Sequence, residues 1–341
     1  MKKFSRSLVV ILLLLTMPTG SLVAQSTVNS WGTIDKRVKS IQADRADSLA
    51  RKLISFCKTD REKVRAIFRW ITEHIGYDVV GYHDPNLYTG FWNDKDAADS
   101  SSVEKSYNDK IVHKVLLERT AICDGYARLF KTLCENAGIK CAIVTGNIRW
   151  STDAIGEITL RRHAWNAVSV ENGWHLVDAT WASGHCDNNV TVFTKMFDDF
   201  FFLTDPIQLF NDHFPDDKTW ALLPNIRNLR QFYNYPFYHP DFYRAKITWV
   251  QPTDGIVELK NPKRLINFEL GVTGPVNYFY IVESSGQPHS VTHIDLSGDQ
   301  VPFRIENGKL LCSYHVRSEN PGRIDIFLNN KLILSYNFKV Y

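Results

Sequence analysis

Apolar residues recur at helical spacing along the first part of this chain and fall into short strand-like runs along its last third. Ala46, Leu49, Ala50, Leu53, Ile54 and Cys57 share one face of a helix read over 42–57. Val64, Ile67, Phe68, Ile71 and Ile75 stripe a second helix over 60–76. No pattern emerges over 28–40. Residues 82–109 break the periodicity and read as a long polar loop walling a cleft. A helical lead-in over 110–119 precedes the stretch 120–138. There Tyr126, Phe130, Leu133 and Ala137 form a buried stripe, and Asp124, Arg128, Lys131 and Glu135 fill the polar face. Thr120 suits its N-cap and Gly138 a left-handed C-terminal cap. Residues 140–150 read as a strand with Ala142, Ile143 and Val144 buried. Two β-rich runs then flank Glu171-Asn172-Gly173, a hairpin signal. Residues 225–243, rich in Tyr, Phe and Pro, show neither period and read as a connector. From Ala245 onward seven β-rich runs, with turns at Asn307-Gly308 and Asn329-Asn330, predict an all-β immunoglobulin-like sandwich. The pattern thus predicts an α+β core followed by a β domain.

Candidate chemistry sits at the start of the 120–138 helix. Cys123 lies in its first turn, where unpaired backbone N–H groups and the helix dipole favour a thiolate over a thiol. Gly125 leaves room beside the sulfur for another backbone. On this stretch alone two readings stand: a prepared nucleophile, and a small buried residue at a helix start. The hairpin adds His163 at the head of one strand and Asp178 along the other. With the turn centred on Glu171-Asn172, Asp178 faces Trp165, and His163 is its diagonal neighbour on the same sheet face. A three-residue loop would put the two on opposite faces unless a bulge intervened. In the first register the carboxylate orients the imidazole, and the imidazole takes the proton of Cys123, which is triad logic.

These residues resemble a known family. Cys-x-Gly-Tyr-Ala at 123–127, His-Ala-Trp-Asn at 163–166 and Trp-x-Leu-Val-Asp-x-Thr-Trp at 174–181 resemble the transglutaminase-like superfamily, and within it the kyphoscoliosis peptidase-type branch. Phe68-Arg-Trp70-Ile71 through Asp78, and Phe197 through Pro206 with His213-Phe-Pro215 and Trp220–Leu223, extend the resemblance over roughly 60–223. It implies a papain-like core of helices packed on an antiparallel sheet, with Cys123 as nucleophile, His163 as base and Asp178 as orienter. It also implies an upstream Trp whose indole N–H binds the oxyanion, for which Trp70 or Trp92 is the candidate; a core or rim aromatic is the plain reading of both. Gly125, Tyr126, Trp165 and Trp181 are the candidate substrate contacts. The implied activity is cleavage of protein or peptide amide bonds through a thioester acyl-enzyme. An amine in place of water would make the same site a transglutaminase, and a cleft that binds a peptide or cell-wall polymer without cutting it is the non-enzymatic alternative.

Composition changes the picture in three places. Lys2, Lys3 and Arg6, the apolar run 8–15 and the small residues before Gln25 read as a secretory signal peptide cut after Ala24, although Leu22 is not the small residue preferred near such a cut. The expected division is 1–24 signal peptide, 25–235 catalytic-type domain and 236–341 β-sandwich domain. Export to the periplasm or the extracellular space is implied, with no integral membrane anchor after cleavage. Loss of this leader removes three basic residues and no acidic one. That balances the 40 Lys and Arg against the 37 Asp and Glu of the whole chain, and argues against a nucleic-acid partner. The expected partner is a protein or peptide substrate, of the cell envelope among others. The six cysteines at 57, 123, 134, 141, 186 and 312 leave five once Cys123 stays free, with a Cys134–Cys141 bridge left open. No Cys-x-x-Cys or His-x-x-x-His pair occurs, so neither a metal nor another cofactor is expected.

Overall fold

The structure is a computed structural model that describes residues 31–84, 101–259, 264–284, 300–319 and 322–340. The expected signal peptide and Trp92 lie outside the described residues, as does much of the expected polar loop.

Helices come first. Trp31–Val38 (α1), which carried no sequence signal, buries only Ile34 and Val38 and sets Trp31 edge-on to Phe202 at 5.6 Å. Ala46–Ile54 (α2) buries Leu49, Ala50 and Leu53. Asp60–His74 (α3) opens on a capping box between Thr59 and Glu62, which satisfies two otherwise orphan N–H groups reciprocally. Strand Gly76–Tyr77 (β1) follows, then the short helix Val79–His83 (α4) and the long helix Ser101–Glu118 (α5). The last begins well before the expected start at 110. Among its described side chains, those of 105–118, the buried ones are Val112, Val115 and Leu116, all towards its C-terminal end.

Strand Thr120–Ala121 (β2) pairs in parallel with β1, and Cys123–Asn136 (α6) begins directly after it. Thr120 is therefore a strand residue, and the N-cap is Ile122, whose side chain offers no acceptor. Asp124, expected on the polar face, is buried and ion-paired to Arg128 at 2.8 Å. Gly138 has the positive φ of 77° expected at the end of α6.

α6 packs across an antiparallel sheet ordered β5-β4-β3-β8, made of Cys141–Ile148 (β3), Arg162–Val170 (β4), Gly173–Val177 (β5) and His213–Pro215 (β8). Helix Ala179–Ser183 (α7) and the small sheet of Gly184–Cys186 (β6) and Phe193–Lys195 (β7) lie between β5 and β8 in sequence. Asn166 on β4 donates to Ala127 O at 3.0 Å and Ala142 O at 3.2 Å, which ties α6 to the sheet beside Cys123.

The second half has its own apolar core. Ile247–Gln251 (β10), Leu265–Val272 (β12), Lys309–His315 (β15) and Phe303–Glu306 (β14) form one sheet in that order. Ile256–Leu259 (β11), Lys331–Val340 (β17), Arg323–Leu328 (β16) and Phe279–Ser284 (β13) form the other, with Phe237–Tyr238 (β9) added beside β17. This is an immunoglobulin-like sandwich. Its turns at Asn307-Gly308 and Asn329-Asn330 carry the positive φ angles that two-residue hairpins demand. Arg149, buried at the end of β3, donates to Phe232 O at 2.9 Å and Tyr235 O at 2.8 Å and so fastens the connector to the first sheet. Arg323 reaches back to Thr152 Oγ1 at 2.6 Å.

Candidate active site

The hairpin turn decides the geometry. Glu171 and Asn172 both have positive φ, and Val170 pairs with Gly173, so the loop has two residues and the register places Val177 opposite Asn166. Asp178 then follows β5 on the side of His163, and His163 Nε2 meets Asp178 Oδ2 at 2.7 Å. The other oxygen of Asp178 accepts from Thr180 N at 2.8 Å and Trp181 N at 3.0 Å, so the same carboxylate caps α7. With Nε2 engaged, Nδ1 is the ring nitrogen of His163 left for Cys123, which lines the same cavity and acts electrostatically on the imidazole. Cys123, His163 and Trp181 line one cavity of about 770 Å³, walled mostly by apolar and aromatic groups, among them Tyr77, Phe193 and Phe201.

Electrostatics follow from the partners. Burial depresses the pKa of His163, but the charge and hydrogen bond of Asp178, helped by Cys123, more than offset this and raise it to about 9. Burial raises the pKa of Asp178, yet His163 and His213 outweigh it and hold the carboxyl well below its usual range.

His213 entered the sequence reading only within the motif His213-Phe-Pro215, with no role given to it, and Asp212 did not enter it at all. His213 Nε2 lies 3.1 Å from the same Asp178 Oδ2, and its Nδ1 meets Asp212 Oδ1. His163 and His213 are linked through the sheet: Gly146 of β3 pairs with His163 on one side and with Pro215 of β8 on the other. A Cβ at Gly146 would come within 2.2 Å of Phe214 O and 2.8 Å of the Trp165 ring, so only glycine lets the three strands approach this closely. Among the described residues, His163, Asp178 and His213 form the group whose potential metal-ligating atoms converge, all within 4.8 Å of one another. Their spacings of 2.7 and 3.1 Å are those of a hydrogen-bonded relay, and the second nitrogen of His213 already faces a carboxylate.

Four other candidate positions are corrected. Gly125 faces α5, where an added Cβ would meet Ala121 Cβ at 2.7 Å and Val115 Cγ2 at 3.0 Å; it is a packing glycine and does not line the cavity. Tyr126 points into the core and donates to Ile75 O at 2.7 Å. Trp165 is buried against the His163 and His213 rings, with centroids at 6.1 and 5.0 Å, and is likewise off the cavity. Trp70 is fully buried, stacks on His74 and gives its indole N–H to Ile41 O at 2.8 Å, so that donor is spent, and the residue does not line the cavity that Cys123 lines. Trp70→Phe should accordingly lower unfolding stability by about 1–2 kcal/mol, the effect of orphaning a buried acceptor, and leave kcat unchanged. A fall in kcat on the order of 10²-fold, as for loss of an oxyanion donor, would return the role to Trp70. All six cysteines are free thiols, Cys134 and Cys141 among them.

Residues 47–179 match the family model of the transglutaminase-like superfamily. Human kyphoscoliosis peptidase is 34% identical over 225 residues, covering 65% of this chain and 31% of that protein. Hillarin of Drosophila melanogaster is 29% identical over 228 residues, covering 61% of this chain and 24% of that protein. The chain thus spans about a third or less of the length of these relatives. A crystal structure of a TGase aligns over 46% of this chain and 34% of that one, at 15% identity and a TM-score of 0.26. No described helix is long and apolar enough to cross a membrane. Cys123, His163 and Asp178 lie inside the matched segment with its motifs in order, so residues 47–179 form a transglutaminase-like domain, and the chain is similar to kyphoscoliosis peptidase over 65% of its length.

Proposed function

We propose that the chain is a cysteine hydrolase that cleaves protein or peptide amide bonds. The observation that carries the reading is the buried contact of His163 with Asp178 at the wall of the cavity that Cys123 lines. In this mechanism the Cys123 sulfur forms a bond to the amide carbonyl carbon, and backbone N–H groups at the start of α6 hold the resulting oxyanion. The C–N bond breaks as the imidazolium of His163 gives its proton to the leaving amine. Water then attacks the thioester, losing its proton to His163, and the acid is released with the thiol restored. Asp178 holds the ring in one tautomer throughout. An exported enzyme fits the basic and apolar leader at 1–24, which makes proteins and peptides outside the cytoplasm its substrates.

The test incubates the wild type and Cys123→Ala with a peptide library, with and without a primary amine. New peptide termini from the wild type alone support hydrolysis. Amine incorporation without cleavage replaces it by acyl transfer, and binding by both proteins with no product replaces it by a binding module.

The pH profile is a further expectation. Leaving-group protonation needs the His163 proton, whose pKa is raised to about 9, so kcat/KM should hold through neutral pH and fall along an alkaline limb near that value. A limb near about 6.5, the unperturbed imidazole value, would contradict the Asp178 contact as the controlling interaction.

A further inference from the structure

We infer that His213 is a positioning residue: an imidazolium held between Asp178 and Asp212 that fixes the Asp178 carboxylate and sets how firmly His163 keeps its proton. The inference rests on the hydrolase reading for its kinetic consequence only.

The geometry begins with donors and acceptors. Both ring nitrogens of His213 face carboxylate oxygens, Nε2 toward Asp178 Oδ2 at 3.1 Å and Nδ1 toward Asp212 Oδ1. Burial raises the pKa of Asp212, and the adjacent His213 and Arg149 oppose that rise; with both carboxylates ionised they only accept, so each nitrogen carries a proton, and a ring with two N–H groups is cationic. The site has no water-facing escape from that requirement. His213 is 1% exposed and Asp178 fully buried. The rings of Trp165, Trp181 and Phe201 enclose the imidazole, with Trp181 at 4.6 Å. A buried charge of this kind persists only when paired, and here it has two partners.

The consequence for Asp178 is saturation. Its Oδ1 takes two backbone N–H groups of α7 and its Oδ2 takes two imidazoles, so the carboxylate has no freedom to rotate. The consequence for His163 is a shared counter-charge. The two rings lie 5.4 Å apart, both leaning on one oxygen, so the second cation weakens the hold of Asp178 on the His163 proton. His163 would otherwise bind its proton too tightly to return it to water chemistry at neutral pH. The charged and titratable groups around His213 are Asp178 at the head of α7, Asp212 beside it and His163 on β4. Arg149 at the end of β3 and Tyr243 act on Asp212 from behind. Cys123 lies beyond His163. Burial opposes the charge on His213, but Asp212 and Asp178 prevail and lift its pKa to about 9, in keeping with the geometry.

Two variants separate charge from packing. Asp212→Asn keeps the side-chain shape and removes the carboxylate that holds the second proton, leaving His213 neutral. His213→Gln keeps one donor toward Asp178 and removes the ring and its charge. The loss of the cation outweighs the loss of Asp212, because His213 lies between Asp212 and His163. Histidine ring NMR on the full chain, which needs no substrate, is the first readout. In the wild type at pH 7, His213 should show both nitrogens protonated. In both variants the His163 titration should move up by about one pH unit. Kinetics are the second readout: kcat should fall about 10- to 100-fold, with the alkaline limb displaced upward by the same amount. A neutral His213 tautomer in the wild type, or a His163 midpoint unmoved in Asp212→Asn, overturns the inference. A loss of thermal stability with an unmoved midpoint does the same, since it makes His213 a packing residue. Absence of turnover in the wild type, with the NMR shifts as expected, ends the hydrolase reading and leaves the charge assignment standing.

Discussion

On the hydrolase reading, Cys123→Ala should abolish turnover, lowering kcat by roughly six orders of magnitude, the scale on which removing a nucleophile from a preorganised triad acts. The loss is purely chemical. Cys123 sits at the first position of α6 in a small apolar cluster with Ala127 and Ala164, where alanine fits without strain. His163 stays hydrogen-bonded to Asp178, so peptide binding and the unfolding midpoint should barely change. Steady-state cleavage, together with the mass of an adduct formed by a peptide-like electrophile on the wild type and missing from the variant, checks it. Residual cleavage within about tenfold of wild type would remove Cys123 from the chemistry, because no backbone or imidazole contribution could replace a covalent step to that degree.

Asp178→Asn damages both activity and fold. An amide retains one carbonyl oxygen, which can keep the α7 cap or serve the imidazoles, but not both. If the cap is kept, the NH₂ group faces two ring nitrogens that also donate, and His163 turns to the wrong tautomer. kcat should fall by about 10⁴-fold, as when the orienting carboxylate of a triad becomes an amide. Stability should fall by about 3–5 kcal/mol, because a partner is removed from a fully buried charge cluster. The stability gap between wild type and variant depends on pH in a defined way. The lowered Asp178 pKa contributes stability above the ordinary carboxyl value of 3.8, which is lost as the pH falls below it. The raised His163 pKa contributes stability that is complete below 6.5 and is lost as the pH climbs through about 9. The gap should therefore be widest between about pH 4 and about pH 6.5 and shrink in both directions. Denaturant unfolding of the two proteins across that range measures it, and a gap independent of pH would mean that Asp178 acts through the α7 cap alone.

What the sequence carried was local. The stripes of α2, α3 and α6 are readable because a buried helix face repeats within its own few turns. The position of Asp178 beside His163 follows from a two-residue turn whose residues are adjacent to both strands. The second imidazole was not readable in this way. His213 reaches Asp178 only because β8, three residues long, pairs with β3, and that pairing joins segments some 65 residues apart with no periodic signal in either. Its motif, His213-Phe-Pro215, was visible as part of the resemblance, and that was the only available hint. Errors around Cys123 have the converse cause. Gly125 and Tyr126 are near the sulfur in sequence, but the helix, turning about 100° per residue, carries them two and three steps round toward α5 and the core. Trp70 fails as an oxyanion donor through Ile41, a partner 29 positions away. Strand β14 was missed because Phe303–Glu306, exposed along most of its length, has no apolar run.

Gly146 gives this arrangement a single point of vulnerability. Because its missing side chain is what lets β8 close on β3, even the smallest replacement would push on the Phe214 backbone and wedge the sheet open beside the residue that brings the second imidazole. The hydrogen bond of His163 to Asp178 joins β4 to the end of β5, and the wedge would press hardest on the β8 side, at Phe214. Drift at position 146 could thus yield descendants that keep all three triad residues while losing the electrostatic neighbour that tempers them, and a comparison of triads alone would count those descendants as equivalent.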